Sequence, residues 1–133
     1  MEYKIFTYGS LMFSEVWQAV TGTEKKNQHA ILKHYGRYKV KGDTYPGIVP
    51  KDSSFVKGVV YYNIAFPVIQ KLDKFEGKYY YRKEVLVSPV HQPSLKAFAY
   101  IIKPEYFHIL SDEKWNPEWF LKFGLRKFLG SYG

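Results

Sequence analysis

Alternating hydrophobic and polar positions predict β-strands in five stretches of the chain. Residues 3–11 begin as an aromatic and β-branched strand, which stops at a Gly-Ser pair. Residues 55–64 give the clearest strand pattern, and residues 29–40 form another. Residues 79–89 and 95–103 are separated by a Gln-Pro-Ser turn, so they are predicted to pair as a hairpin.

Apolar residues recur at helical spacing between these strands. The pattern over residues 11–20 predicts a helix with Ser14 as its N-cap and Glu15 as an acid in its first turn. A second helix is predicted to begin at residues 65–67, where Pro67 occupies the first turn, and to close at residues 76–77, where Gly77 provides the C-terminal stop. Both helices are expected to bury one apolar face.

Irregular segments and a final helix complete the pattern. Residues 42–50 contain two prolines and are predicted as a turn-rich connector, while residues 104–114 are expected to be irregular or a short helical turn. A bulge is predicted at Gly36. The last helix is expected to start at an Asn116 cap and to end at Gly130.

The order of these elements, β-α-β-β-α-β-β-α, predicts an α+β fold. Consecutive strands without regular βαβ alternation favour a mixed or antiparallel sheet over a parallel one. We expect a small curled β-barrel with flanking helices, formed by a single domain that spans residues 1–133.

Composition narrows the function classes. The chain has no cysteine, which excludes disulfides, thiol catalysis and Cys-based zinc sites, and its four histidines are too scattered for a metal site. No segment resembles a signal peptide or a membrane span, so we expect a cytoplasmic protein without membrane contact. The net charge is +8, but the basic residues are dispersed, which is typical of a solvated surface. Nucleic-acid binding remains an alternative.

Glu76 is the first candidate catalytic residue. At about 100° per residue its side chain points between those of Ile69 and Leu72, on the apolar face of the second predicted helix. Desolvation there would raise its pKa and allow proton transfer near neutral pH. Three structural alternatives remain: Glu76 frays outward, pairs with Arg82, or hydrogen-bonds a tyrosine. Asp73 lies nearer the edge of the face and is interpreted as structural.

The loop after the first strand is the second candidate. Main-chain N–H groups at such a glycine turn can bind an anionic or carbonyl oxygen, although Gly9 and Ser10 could equally serve only to turn the chain. Ser10 has no surrounding nucleophile motif, so a loop hydrogen bond is favoured for it over nucleophilic catalysis.

Five short segments, which keep their order along the chain, together resemble the gamma-glutamylcyclotransferase-like family. This family is also called BtrG-like, and the segments resemble its compact avirulence-induced branch. The segments are FTYGSL at 6–11, YPGIV at 45–49, VKGVVY at 56–61, LDKFEG at 72–77 and YR at 81–82.

The resemblance implies a function. It implies a curled mixed barrel, Glu76 as the acid/base, and release of 5-oxoproline from a small gamma-glutamyl substrate without a cofactor, a reaction associated with glutathione metabolism. An amine or amino acid would leave, and the sequence leaves both its identity and the oligomeric state open. A non-catalytic module that binds a small ligand is the alternative. The candidate substrate-binding residues are Tyr8, Gly9, Ser10, Leu11, Tyr81, Arg82 and Tyr100.

Overall fold

Five β-strands close into a barrel in the computed structural model, which describes residues 2–132 and the side chains of residues 2–130. The strand order is β3-β1-β5-β4-β2, and β2 pairs back onto β3. All neighbours are antiparallel except β1 and β5. This arrangement confirms the predicted α+β barrel. The strands are β1 (Glu2–Thr7), β2 (Asn27–Val40), β3 (Pro46–Ala65), β4 (Tyr80–Pro89) and β5 (Leu95–Ile102).

Helices pack against the outside of this barrel. A 3₁₀ turn, Ser10–Met12, leads into α1 (Ser14–Thr21), and α2 (Phe66–Glu76) follows β3 directly. The C-terminal helical segment consists of α3 (Pro117–Trp119), a π-helical turn (Phe120–Gly124) and α4 (Leu125–Tyr132). A further 3₁₀ segment is Pro104–Ile109. Across residues 2–132, no helix combines the length and the apolar character needed to cross a bilayer.

Two hydrophobic clusters share the strands of the barrel. Successive strand residues point to opposite faces, so Phe6 joins the cluster inside the barrel while Ile5 joins the cluster under the helices. In the outer cluster Trp17 of α1 stacks on Tyr61 of β3, with ring centroids 3.8 Å apart and planes within 6°. Burial on both faces holds the end of β1, and therefore the loop that follows it, in place.

The segment around the two prolines is a strand, so the predicted connector at residues 42–50 is wrong in its second half. Pro46 pairs with Lys39 and Pro50 with Tyr35 on β2. The partner on the other side of β3, which is β1, begins only at Val59. A proline nitrogen facing the unpaired side needs no hydrogen-bond acceptor, so the strand tolerates both prolines.

Three other local predictions are corrected. The irregularity in β2 lies at His34 (φ 70°), opposite extra residues in β3, and not at Gly36, which pairs regularly with Val49. Ser14 is the first residue of α1, whose N-cap is Phe13. Gly130 does not end the last helix, because it lacks the left-handed backbone that makes glycine a stop and remains inside α4.

One strand lies where an irregular segment was predicted. Leu110–Lys114 forms β6 and pairs with the end of β2 at the edge of the barrel. Its sequence, LSDEK, is mostly polar and lacks hydrophobic alternation, as expected of a strand that is largely exposed to solvent. The sequence pattern therefore does not predict it.

Candidate active site

A cavity of about 340 Å³ opens at one end of the barrel. This volume is in the range of small-molecule sites. Its walls come from the loop after β1, the start of β3, the end of α2 and helix α4, with two tyrosines from β4 and β5. The lining residues are Phe6, Thr7, Tyr8, Gly9, Ser10, Leu11, Asp43, Thr44, Tyr45, Pro46, Phe75, Glu76, Tyr80, Tyr100, Lys127 and Phe128.

Hydrogen bonds hold the main-chain carbonyl groups of the loop after β1. Each carbonyl from residue 8 to residue 11 accepts a hydrogen bond from another part of the molecule or from the following turn. The donors are Arg37 Nη1 to Tyr8 O (2.7 Å), Met12 N to Gly9 O (3.0 Å), Phe13 N to Ser10 O (3.1 Å) and Tyr61 Oη to Leu11 O (2.8 Å). With all four carbonyls paired, the orientation of the peptide planes is set.

The N–H groups of the same loop are available. Those of Gly9, Ser10 and Leu11 donate no hydrogen bond to any residue that the structure describes. Polar N–H groups at a cavity wall require an acceptor, and a ligand oxygen can supply it. The loop therefore has the arrangement expected of an oxygen-binding site.

Glycine is required at position 9 by a close approach. A Cβ at Gly9 would lie 2.9 Å from Cδ of Pro46, at the start of β3. Any larger residue would push the loop away from β3 and displace the N–H groups that follow. The sequence motifs FTYGSL and YPGIV therefore meet at this contact, on one wall of the cavity.

Glu76 is the last residue of α2, and its carboxyl group faces the cavity. Gly77 follows with a positive φ (80°), which favours glycine, and it ends the helix there. Glu76 is partly buried, and within the described part of the chain it has no hydrogen-bond or ion-pair partner. Desolvation raises its pKa to about 8. None of the three structural alternatives for Glu76 is present among the described residues.

Asp73, one turn earlier on α2, is paired. Its Oδ1 accepts a hydrogen bond from Tyr100 Oη at 2.6 Å and lies 3.1 Å from Arg82 Nε. The Arg82 guanidinium also lies over the ring of Phe98, 4.9 Å from its centroid. These contacts agree with the structural interpretation of Asp73, and they explain why Arg82 does not reach Glu76.

Buried tyrosines complete the walls. Tyr8 Oη donates to the carbonyl of Tyr100 at 2.6 Å, and Tyr80 Oη donates to the carbonyl of Pro46 at 2.8 Å. Desolvation, followed by the negative charge of Glu76, raises the pKa of Tyr8, and desolvation likewise raises the pKa of Tyr80. Both hydroxyl groups therefore remain protonated hydrogen-bond donors. Tyr8 ties the loop to β5, and Tyr80 ties β4 to β3.

The structure brings together most of the predicted site residues. Tyr8, Gly9, Ser10 and Leu11 line the cavity with Glu76 and Tyr100. Tyr81 does not line it and is 37% exposed, and Arg82 is engaged with Asp73 outside the lining.

Other lining residues were absent from the sequence prediction. The sequence pattern predicts only a strand at Tyr80 and only a turn-rich connector at Asp43 and Tyr45, whereas the structure places all three in the lining. Lys127 and Phe128 come from the C-terminal helix, where the sequence shows no signal beyond an amphipathic pattern.

The described residues form neither a metal site nor a site with an activated serine. Among residues 2–130, no group of three or more His, Cys, Asp and Glu side chains could hold a metal ion. No histidine appears in the described lining, so Ser10 lacks the base that usually activates a serine. Apart from the exposed charges of Asp43 and Lys127, these walls supply the unpaired carboxyl group of Glu76 and a set of N–H and O–H donors.

Comparison with known proteins agrees with the resemblance of the motifs. Residues 5–117 match the family described as gamma-glutamyl cyclotransferase, AIG2-like. AIG2-like protein D of Arabidopsis thaliana is 30% identical over 129 residues, which cover 90% of this chain and 85% of the relative. AIG2-like protein C of the same plant is 30% identical over 120 residues, covering 86% of this chain and 69% of the relative.

Solved structures are similar in fold. A solution structure from Arabidopsis thaliana superimposes with a TM-score of 0.76 at 26% identity, covering 99% of this chain and 80% of its own. A gamma-glutamyl cyclotransferase gives 0.69 at 19% identity, covering 77% and 68%. A yeast enzyme described as specific to glutathione gives 0.66 at 16% identity, covering 84% and 73%. At 19% and 16% identity, the last two similarities show the fold alone. On the family match and the Arabidopsis relatives, the chain belongs to the gamma-glutamyl cyclotransferase, AIG2-like family.

Proposed function

We propose that this protein is a gamma-glutamyl cyclotransferase that converts a gamma-glutamyl amide to 5-oxoproline and releases the attached amine or amino acid. One observation carries the proposal: the unpaired carboxyl group of Glu76 lines the same cavity as the free N–H groups of the loop at residues 9–11. Membership of the family supports it. Such a reaction needs one acid/base group and donors for an oxygen, and this cavity offers both.

The reaction is an intramolecular acyl transfer. The α-amine of the gamma-glutamyl group attacks its own γ-carbonyl carbon, a five-membered lactam forms, and the bond from that carbon to the leaving nitrogen breaks. Of the three protons of the starting α-ammonium, one remains on the lactam nitrogen and one passes through Glu76 to the leaving nitrogen. The third is released to solvent or to the departing amine. Glu76 thus ends the cycle in the protonation state in which it began.

The raised pKa of Glu76 suits this proton transfer. The α-ammonium of a gamma-glutamyl group stands beside a free α-carboxylate, so its pKa lies above the value of about 8 for a peptide α-amino group. The pKa of Glu76, about 8, is much closer to it than the ordinary carboxyl value of 4.5. Transfer between groups of similar pKa has no large energetic cost in either direction, which is the condition for one group to act first as base and then as acid. A carboxylate with an ordinary pKa would be a weaker base for the first step.

The loop would contribute positioning and charge stabilisation. Its N–H groups are held by paired carbonyls, so they need no reorganisation when negative charge develops on a substrate oxygen. Binding the gamma-glutamyl chain in a folded conformation also brings the amine close to the carbonyl carbon, which lowers the entropic part of the barrier.

The test is a mass-spectrometric screen for 5-oxoproline with purified protein. Gamma-glutamyl dipeptides, glutathione and gamma-glutamyl amines serve as substrates. The matched control is an α-glutamyl dipeptide with the same leaving residue, which cannot form the lactam by this route. We expect 5-oxoproline from at least one gamma-linked compound and none from the α-linked control. Binding of gamma-glutamyl compounds without any 5-oxoproline would contradict the enzymatic proposal and leave a binding module.

A further inference from the structure

The cavity has a cationic group at its rim that the proposed chemistry does not use. Among the described lining residues, Lys127 of α4 is the only basic side chain. It is exposed to solvent, and it forms no hydrogen bond or ion pair with the described part of the chain. Its charge is therefore available to a ligand that enters the cavity.

Aromatic packing fixes the position of Lys127. The next residue, Phe128, lies edge-on to Phe75 with ring centroids 5.9 Å apart and contacts Phe120 at 6.4 Å. Phe75 immediately precedes Glu76 on α2. The contact between Phe128 and Phe75 therefore sets the distance of α4, and of Lys127 with it, from the candidate acid/base.

Lys127 lies outside the part of the chain that matches the family. The match covers residues 5–117, whereas the helix that carries Lys127 is Leu125–Tyr132. The matched range thus includes the loop and Glu76 but does not include the wall of the cavity that α4 forms.

The cavity has a buried floor and an exposed rim. Tyr8, Leu11 and Tyr100 are each at most 6% exposed, whereas Asp43 and Lys127 at the opening are exposed. On the proposed function, the gamma-glutamyl group occupies the floor beside the loop and Glu76. The rest of the substrate, which is the leaving group, then extends toward Lys127.

We propose that Lys127 is a specificity residue that binds a carboxylate of the leaving group, so that gamma-glutamyl amino acids are preferred over gamma-glutamyl amines that lack this charge. This inference rests on the proposed function for the placement of the gamma-glutamyl group. Asp43, the other exposed charge at the rim, lies beside Tyr45, whose pKa is raised to about 12 by burial and then by Asp43. Asp43 carries the opposite charge, so Lys127 is the only side chain of the described lining whose charge attracts a carboxylate.

The expected discrimination is modest. A solvent-exposed ion pair contributes up to about 1 kcal/mol, which corresponds to about fivefold in affinity. This pairing forms equally in the bound substrate and in the transition state, so it affects binding and KM more than kcat.

The experiment measures binding by calorimetry in the Glu76→Gln background, where turnover does not consume the ligand. The two ligands are gamma-glutamyl-alanine and gamma-glutamyl-alaninamide, which differ only in the terminal carboxylate. We expect the acid to bind up to about fivefold more tightly than the amide. Adding Lys127→Met should abolish this preference, and Lys127→Glu should reverse it. The matched control is Arg126→Met, which removes the same charge from a neighbouring position outside the cavity and should keep the preference.

Several outcomes would overturn the inference. One is a preference for the acid that survives Lys127→Met. Another is an equal loss of affinity for both ligands in that variant, which would place Lys127 on the carboxylate of the gamma-glutamyl group. Failure of both ligands to bind would overturn it too. Circular dichroism and thermal melting of each variant check its fold. Turnover by the wild-type protein, measured separately, tests the proposed function, so a cyclotransferase without this preference is distinguishable from a protein that is no cyclotransferase.

Discussion

Two carboxylic acids lie one turn apart on α2 and have contrasting surroundings. Asp73 is paired with Arg82 and accepts a hydrogen bond from Tyr100, and its side chain remains 42% exposed. Glu76 is less exposed, faces the cavity, and has no partner among the described residues. Helical spacing alone does not separate a structural acid from a reactive one. The separation comes from which side chains of β4 and β5 reach each position.

The comparison also shows why the two groups suit different tasks. The carboxylate of Asp73 is occupied by Arg82 and Tyr100, whereas the unpaired and desolvated carboxyl group of Glu76 can take up and release a proton near neutral pH. The pKa of Glu76, about 8, follows from desolvation. Four predictions test this contrast.

The largest effect is expected from Glu76→Gln. Glutamine keeps the shape of the side chain but cannot exchange a proton, so the rate of 5-oxoproline release should fall about 10³-fold. Asp73→Asn, the matched change one turn away, should retain turnover within about tenfold of the wild-type rate. Steady-state assays of both variants on the same substrate provide the measurement. Equal losses would show that the two acids do not differ in role.

The second prediction concerns stability and pH. The folded-state pKa of Glu76, about 8, is above its ordinary value of 4.5, so the folded protein binds this proton more tightly than the unfolded chain. The free energy of unfolding should therefore decrease as the pH rises from about 4.5 to about 8, as the unfolded chain ionises first. Each pKa unit corresponds to about 1.4 kcal/mol, so the total is a few kcal/mol.

Urea denaturation at pH 5 and pH 9 measures this decrease. Glu76→Gln has no group to ionise at this position, so its stability should decrease less between the two pH values. The variant should consequently be more stable than the wild-type protein at pH 9. Parallel pH profiles for the two proteins would mean that Glu76 is not desolvated.

The third prediction concerns the loop that faces Glu76. Arg37 donates to the carbonyl of Tyr8 at 2.7 Å and to the carbonyl of Lys57 at 3.0 Å. Arg37→Met removes both bonds, so the N–H groups of the loop should lose their fixed orientation and kcat/KM should fall about tenfold. Lys33→Met, an exposed position on the same strand, is the control. Indistinguishable kinetics for the two variants would argue against a role for the loop.

The smallest effect is expected at the structural acid. Asp73→Asn should lower the free energy of unfolding by up to about 1 kcal/mol, because the pair with Arg82 is partly exposed to solvent. This loss of stability should be smaller in about 1 M salt, because screening already weakens the ion pair in the wild-type protein. Chemical denaturation at low and high salt measures it. A salt-independent loss would show that the charge of Asp73 does not stabilise the fold.

The sequence pattern predicts best the elements whose ends are set by residues close together in the chain. The two ends of α2 fall inside the predicted start at residues 65–67 and the predicted close at residues 76–77, because Pro67 and Gly77 act through their own backbone geometry. The strand over Pro46–Ala65 and the edge strand Leu110–Lys114 were not fully predicted, since each depends on pairing with β2. Pairing between distant segments can form a strand despite prolines or a polar sequence. A local sequence pattern does not reveal such pairing.

The site divides in the same way. Glu76 and the loop at residues 8–11 were predicted, because one interrupts an apolar helical face and the other interrupts a strand. Tyr80 and Lys127 were missed, because nothing in their neighbourhood along the chain marks them as cavity residues. Tyr81 was proposed for substrate binding, but the structure places it outside the lining and places Tyr80 inside.

By itself the sequence determined the number and kind of most elements, the apolar face that carries Glu76 and the glycine turn after β1, because these depend on residues close together in the chain. The tertiary structure alone decided that the turn and the acid share one cavity, that Arg82 pairs with Asp73 and leaves Glu76 without a partner, and that α4 brings Lys127 to the rim. Those relations depend on barrel closure and on aromatic packing between distant segments. Such contacts stabilise the protein only once the segments have come together in the folded chain.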